Sequence, residues 1–592
     1  MGGNRMRTVK KHAGLAAVLT VGLAILAAPY LTSIDPDSRV FRSSVLPLIL
    51  FAASFFPVRS AFERHGEPEL RYGLFFGLIF AFFLGIGSEL GVYGVFLTGM
   101  GSLIRRFAVP VMAAPFLGTL FSYILVHVPD RTHSRQQKLR WLPCFLGITL
   151  SYLLVFLAYF PGIVNYDFFT ELLQYQRGPY FGAHPVFHTI LTGVLFSLGY
   201  SFTGSYTLGA AMYCIVQMLV MSAAYAYVVS FVSKRVPRQG AWFILAFFAL
   251  FPVHGLMAIS TVKDAMFAAV LSLLVIQLWH IEEDPQAFAV ARKRQVCLVL
   301  TCLALSLLRH NGIFAYVFAC IALLLICRSR QALILTAIIL AVSLCVPKAL
   351  RMAVSAWDTP SSEMMSVPCQ QMMRTAKYAD MPDDERAALS SWWAEGAVDK
   401  YRPYSADTSK GGNFDYVRYT ENKGEFWRTY LTYGLRYPRI YLEAFLQNCA
   451  GIWNPDDISH AHAMDSEGWD FVYTKTEIIF PEEAGTLEQK PVLRRLHAFL
   501  QGVAHSSRHE RIPLVSLLFR PSMYVYALLL ASFVARVRGA GRKRLVLLPI
   551  WGIILSYVFS ACILVRYAYS FMACVPVAFV LIYFSMGKAE KT

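Results

Sequence analysis

Apolar runs long enough to cross a bilayer, about 20 residues each, recur between residues 13 and 584 of this chain, divided by short basic segments. In lipid, every backbone N–H and C=O must find a partner within the protein, so such runs become helices packed against one another. Composition agrees: 56% of the 592 residues are hydrophobic and 15% are charged, against roughly 25% charged in soluble domains. The sequence predicts an all-α polytopic membrane protein.

Lys and Arg gather in short segments between the runs: Arg59 to Arg71, Arg131 to Arg140, Lys234 to Arg238, Arg292 to Arg294, Arg328 and Arg330, Arg536 to Arg544, and Lys588 with Lys591. Such clusters mark the cytoplasmic face. They account for the net charge of +17 without a nucleic-acid partner. With them inside, spans fall near 13–31, 43–58, 73–97, 107–127 and 141–160, leaving 161–184 outside. Residues 185–233 must cross a net odd number of times, so the shorter apolar run, 186–199, is expected to be re-entrant or tucked behind the outer face. Spans near 241–258, 265–280, 295–309, 312–327 and 331–347 follow, then three near 521–535, 545–563 and 567–586. The total is about fourteen, with both termini cytoplasmic and the first run an uncleaved anchor.

This map divides the chain into an N-terminal bundle (1–140), a membrane core (141–347), a polar extracytoplasmic block (348–515) and C-terminal helices (516–592). The polar block carries helix signals. Pro382-Asp383-Asp384-Glu385 opens one helix, expected to run to Gly396, with proline and acids in its first turn. Two more are expected from Glu425 and from Pro438. Of the 11 cysteines, only Cys369 and Cys449 lie in this block; a disulfide between them and two separate thiols are both open.

The loop Tyr159-Phe160-Pro161-Gly162-Ile163-Val164-Asn165-Tyr166-Asp167 holds a carboxylate at the end of a span. An acid at that depth is costly unless it binds something or performs chemistry. A helix starting at Asp167 puts Asp167, Thr170, Glu171 and Gln174 on one stripe and Phe168, Leu172 and Tyr175 on another. That pattern predicts an interfacial helix, polar face to water or to a cavity, ended by Gly178-Pro179. Its bland reading is a loop helix capped by Asp167. Lys263-Asp264, Arg309-His310-Asn311 and Arg566 fall at the same ends of other spans. Singly each is an ordinary interfacial residue; together they could line one cavity. His184 and His188 are spaced to face one divalent metal, but the apter reading is a polar contact and a packed core residue. No phosphate-cradling Walker loop and no Gly-x-Ser-x-Gly elbow is present.

The order of these features resembles the GT-C class of membrane glycosyltransferases, which includes protein O-mannosyltransferases, aminoarabinose transferases and oligosaccharyltransferases. The likeness rests on Asp167 in the first outer loop, His184-Pro185-Val186-Phe187-His188-Thr189 entering the next helix, and Asp264 at a later outer helix end. With Pro161-Gly162, Lys263 and Arg309-His310-Asn311-Gly312, it is most similar to a little-characterised bacterial membrane group of that class, over about 141–347. The class has its acid after the first span, whereas here it follows the fifth. The resemblance implies a GT-C-like fold and a polyprenyl-phosphate sugar donor used at the outer face of the cytoplasmic membrane. The acceptor would be a glycan, lipid or protein. Asp167 and Asp264 would be catalytic, and Glu171, Gln174, His184, Lys263, Arg309, His310, Asn311 and Arg566 would bind substrate. A flippase for a lipid-linked glycan and a non-enzymatic envelope assembly protein are the competing readings.

Overall fold

The structure, a computed structural model, describes residues 68–96, 114, 117–122, 138–357, 364–411, 413–456, 490–505, 512 and 515–583. Among them it is all helix, with only isolated bridging pairs between extended segments. Six helices are long and apolar enough to cross a membrane, or seven if one bent pair counts as a single span. The chain is a multi-pass, all-α membrane protein. Of the fourteen expected spans, those at 13–31 and 43–58, and most of 107–127, lie outside the described residues. Elsewhere the difference has a structural cause, since hydropathy sums an apolar run across breaks that interrupt the helix. The expected span at 545–563 holds only an 11-residue helix, Leu548–Val558.

The six are α1 (Pro68–Tyr93), α2 (Trp141–Ala158), α5 (Tyr206–Ser233), α8 (Lys263–Glu283), α11 (Arg330–Ala353) and the broken pair α19 (Val565–Met572) and α20 (Val575–Tyr583). Between them lie α3 (Tyr166–Arg177), α4 (Val186–Thr203), α6 (Arg238–Leu250), α7 (Pro252–Ala258), α9 (Arg292–Leu308) and α10 (Gly312–Cys327). The α6–α7 pair bends by 47°, because Pro252 cannot donate a helical hydrogen bond. The centre of the bundle is α5, α8 and α19–α20, of whose most apolar windows 67%, 78% and 83% are buried. By contrast, α11 is 22% buried, with Leu333, Ile334 and Leu344 turned outward.

α4 packs on the first third of α5: Phe196 meets Tyr206 and the Cα face of Gly209, and His188 reaches Tyr213. Its contacts therefore stay at one end of the bundle, while α5 continues to Ser233 at the other. That second end collects Arg235 paired with Glu283, and Lys543 paired with Glu282. It is called the basic end below, and the other the site end.

The polar block has its own core of Met372, Met373, Trp392, Trp393, Phe414 and Phe426. Its helices are α12 (Ser366–Tyr378), α13 (Asp383–Ser390), α14 (Lys423–Arg436) and α15 (Pro438–Asn448). The helix expected from Pro382 to Gly396 stops at Ser390, because Trp392 and Trp393 leave it to fill this core. Cys369 and Cys449 are thiols rather than a disulfide. Arg374, buried in α12, donates to Glu443 (3.0 Å), to Gln447 (2.7 Å) and to the Gly94 carbonyl (2.6 Å). Glu443 also accepts from the Phe96 N–H at 2.7 Å, so this pair ties the polar block to the loop after α1. α16 (Arg494–His505) lies along the end of α2, with His497 at 3.0 Å from the Ala158 carbonyl. α17 (Pro521–Val537) and α18 (Leu548–Val558) complete the bundle.

Removing one partner of a buried ion pair leaves a desolvated charge. Arg374→Met is expected to lower stability by about 3 kcal/mol, read as a fall in the thermal midpoint in detergent. The double variant Arg374→Met/Glu443→Met should recover part of that loss. Equal losses would mean that packing, not charge, is what Arg374 supplies.

Candidate functional site

The site grows from a stretch of extended backbone. After α2 the chain turns at Gly162 (φ +126°), where a Cβ would meet the Cys214 sulfur at 2.4 Å and the Ile259 carbonyl at 2.9 Å; only glycine fits. Ile163 then pairs with the segment after α7: its N–H donates to Ile259 and its carbonyl accepts from Thr261, both at 2.9 Å. The Asn165 N–H donates to Thr261 Oγ1 at 2.9 Å. Gln217 Nε2 holds the other side, within 3.1 Å of Met257, 3.2 Å of Ala258 and 2.5 Å of Ser260 carbonyls. Buried backbone outside a helix is thereby satisfied, and two helix starts are fixed side by side: Asp167 on α3 and Lys263-Asp264 on α8.

α3 is capped not by Asp167 but by Asn165, whose Oδ1 accepts from the Asp167 N–H. This frees the Asp167 carboxylate. Its polar stripe does not face water, since Glu171 and Gln174 are as buried as Phe168 and Leu172. The reason is α4, which covers the stripe with His188 and Thr192 and lets Tyr175 lie against Gly193.

Asp167 Oδ2 lies 3.3 Å from Lys263 Nζ and 3.2 Å from Arg566 Nη1. Lys263 also meets His184 Nδ1 at 2.9 Å. His184 lies 3.4 Å from Glu171, and Glu171 accepts from His188 at 2.6 Å and from Thr192 at 3.0 Å. Beside this chain, Arg309 forms an ion pair with Asp264. The Tyr567 ring lies between the two arginines: its centroid is 5.1 Å from the Arg309 guanidinium and 4.9 Å from that of Arg566. Four groups drawn from four separate sequence regions thus meet at the site end. Of the three carboxylates, Asp167 is 19% exposed and Glu171 and Asp264 are each 1% exposed, so Asp167 is the one a ligand can reach.

Burial alone would raise the Asp167 carboxyl, but Lys263, Arg566 and His184 together hold it well below the usual carboxylate range. Burial likewise opposes the ionised Glu171, and His188, His184 and Lys263 together outweigh it, leaving that carboxyl lowered. For His184, burial and the Lys263 charge act in the same sense, pushing it down to about 4. Burial and Lys263 also lower His310.

Three of the residues expected to bind substrate make contacts to the scaffold. Gln174 Oε1 accepts from the Phe181 N–H at 2.9 Å, His310 Nε2 meets the Gly182 carbonyl at 2.9 Å, and Asn311 donates to Ser556 at 3.2 Å. His184 and His188 both turn to Glu171, and the second nitrogen of His188 meets Tyr213 at 2.9 Å. Among the described residues no cluster of three or more His, Cys, Asp or Glu side chains is placed to hold a metal. Sequence reasoning missed Tyr567 and Asn165, and also a cavity of about 330 Å³ beside the charges, lined by Pro185, Phe187, His310, Lys348 and Arg351. Lys348 and Arg351 directly follow an apolar run, which is the only signal they carry.

Fold and site together define a multi-pass helical membrane protein with a charge cluster packed into one end of its bundle. Residues 180–592 match a family of unknown function, DUF6020, and the chain belongs to that family. The match takes in His184, Lys263, Asp264, Arg309 and Arg566, and begins after Asp167 and Glu171. No curated protein and no solved structure matches the chain.

A histidine lowered from 6.5 to about 4 binds its proton more readily when unfolded. Its contribution is therefore complete above pH 6.5 and is lost as pH falls toward 4, by about 3 kcal/mol over the window. Thermal midpoints in detergent should fall between pH 6.5 and 4, and His184→Asn should flatten that slope. An unchanged slope in the variant would remove His184 as its origin.

Proposed function

We propose that the chain is a GT-C-like membrane glycosyltransferase of about fourteen spans, moving a sugar from a polyprenyl-phosphate donor to an acceptor hydroxyl at the outer face of the cytoplasmic membrane. The observation that carries this reading is the convergence of Lys263 and Arg566 on one reachable carboxylate, Asp167, with the Arg309–Asp264 pair beside them across the Tyr567 ring. Cations of this kind stabilise a departing phosphate, and a carboxylate can accept the proton of an attacking hydroxyl. The basic end corresponds to the cytoplasmic side, which puts the site outside. The cavity bearing Lys348 and Arg351 against Val186, Phe187, Leu307 and Leu344 suits an amphiphile with an anionic head.

In the resting arrangement Asp167 is a weak base, because two cations neutralise it. An incoming lipid phosphate competes for Lys263 and Arg566, and each contact it gains returns basicity to Asp167. The acceptor oxygen then attacks the anomeric carbon while its proton passes to Asp167. The bond from that carbon to the phosphate oxygen breaks, and polyprenyl phosphate leaves with the electron pair, in a single inverting displacement. Asp264 keeps Arg309 in place and does not touch the reacting atoms.

Asp167→Asn keeps shape and removes the base, so transfer should fall about 10²–10⁴-fold, with folding and membrane insertion retained. The assay is release of polyprenyl phosphate from a labelled lipid-linked sugar. Wild-type release by Asp167→Asn would exclude it as base. No release by the wild type, with movement of the lipid-linked sugar across vesicles, would establish the flippase reading.

Topology has its own test. Protease added to intact spheroplasts should cut within 348–515, and protection there with cleavage only in inverted vesicles would reverse the orientation.

A further inference from the structure

A cavity of about 690 Å³ lies toward the opposite end of the bundle between α2, α5, α8 and α9. Along α8 its lining runs from Ala269 to Ile281, roughly 9 to 27 Å from Lys263 at about 1.5 Å per residue. Its walls are Val220, Ala224, Val270 and Leu273, and small residues on α5 and α8, Ala223 and Ala269, leave the space open. Trp141, Val220 and Tyr227 are exposed at its rim, so it opens on the outside of the bundle, where lipid lies. The size suits a small amphiphile.

Two polar features select the head group. Arg294 on α9 lines the cavity and has no side-chain partner among the described residues. Gln277 donates to Thr301 at 2.8 Å, while its Oε1 is buried without a hydrogen-bond partner. The neighbouring acids are already engaged: Glu283 by Arg235, Trp279 and His280, and Glu282 by Lys543. The cavity therefore offers an unpaired cation and an unmet acceptor above an apolar slot.

We propose that this cavity binds one anionic glycerophospholipid from the leaflet at the basic end, its phosphate on Arg294, a head-group hydroxyl donating to Gln277, and an acyl chain between α5 and α8. Basic pockets between membrane helices on that side are suited to anionic head groups.

The test uses the full chain purified in detergent, with bound phospholipid counted by mass spectrometry and thermal midpoints read on adding phosphatidylglycerol or phosphatidylethanolamine. Wild type should retain one phospholipid per chain and be stabilised by phosphatidylglycerol in preference. Ala223→Phe fills the slot without altering charge and should lose the lipid. Arg294→Gln, an exposed surface change, should bind phosphatidylglycerol about fivefold more weakly, the equivalent of one near-surface cation. Equal stabilisation by the two lipids, or wild-type lipid content in Ala223→Phe, overturns the proposal. Neither measurement depends on transfer activity.

Discussion

The pairing of Ile163 with Ile259 and Thr261 is the constraint on which the site depends. Two stretches of chain that are not helical meet inside a bundle where unpaired backbone is costly. They satisfy each other, and Gln217, buried in α5, takes three of the remaining carbonyls. Both helix starts that bear charge, α3 and α8, are launched from this junction. A side chain larger than glycine at 162 would push on the Ile259 carbonyl and so on the spacing between Asp167 and Lys263.

Charge in this region is arranged in matched sets. Asp264 with Arg309 is sealed, and Glu171 is enclosed by His188, Thr192 and His184. Asp167 is held by two cations yet remains partly exposed. The sealed pairs resist exchange because an uncompensated buried charge costs several kcal/mol. The exposed set can trade one partner for a ligand of the same sign. That asymmetry separates residues that build the site from the residue that can respond to what enters it.

Much of this was legible in the sequence. Hydropathy and the basic clusters were enough to put Asp167, Lys263, Arg309 and Arg566 at common helix ends, because depth in a membrane is a one-dimensional property. Which of them touch is set by packing around the bundle axis, and a hydropathy profile carries no such angle. The stripe on α3 left water and a cavity both open as what it faces, because its pattern is the same whether α4 or solvent covers it. α12 was missed although Cys369, Met372, Met373 and Ala376 recur at helical spacing, a signal available in the sequence. Tyr567 carried no signal, as an aromatic beside an arginine is ordinary at a membrane interface.

The partners of Asp167 are far apart along the chain: Lys263 is 96 residues away and Arg566 is 399. A membrane protein is made and inserted from its N-terminus, at about 5–20 residues per second. The Asp167–Lys263 contact can therefore form while the polar block and the last helices do not yet exist. Arg566 arrives with α19, the second-last helix among the described residues, so the second cation joins the cluster late in synthesis. A chain cut short between α8 and α19 keeps its reachable carboxylate and one of its two counter-charges. The order of synthesis thus completes the electrostatic site only once α19 has been made.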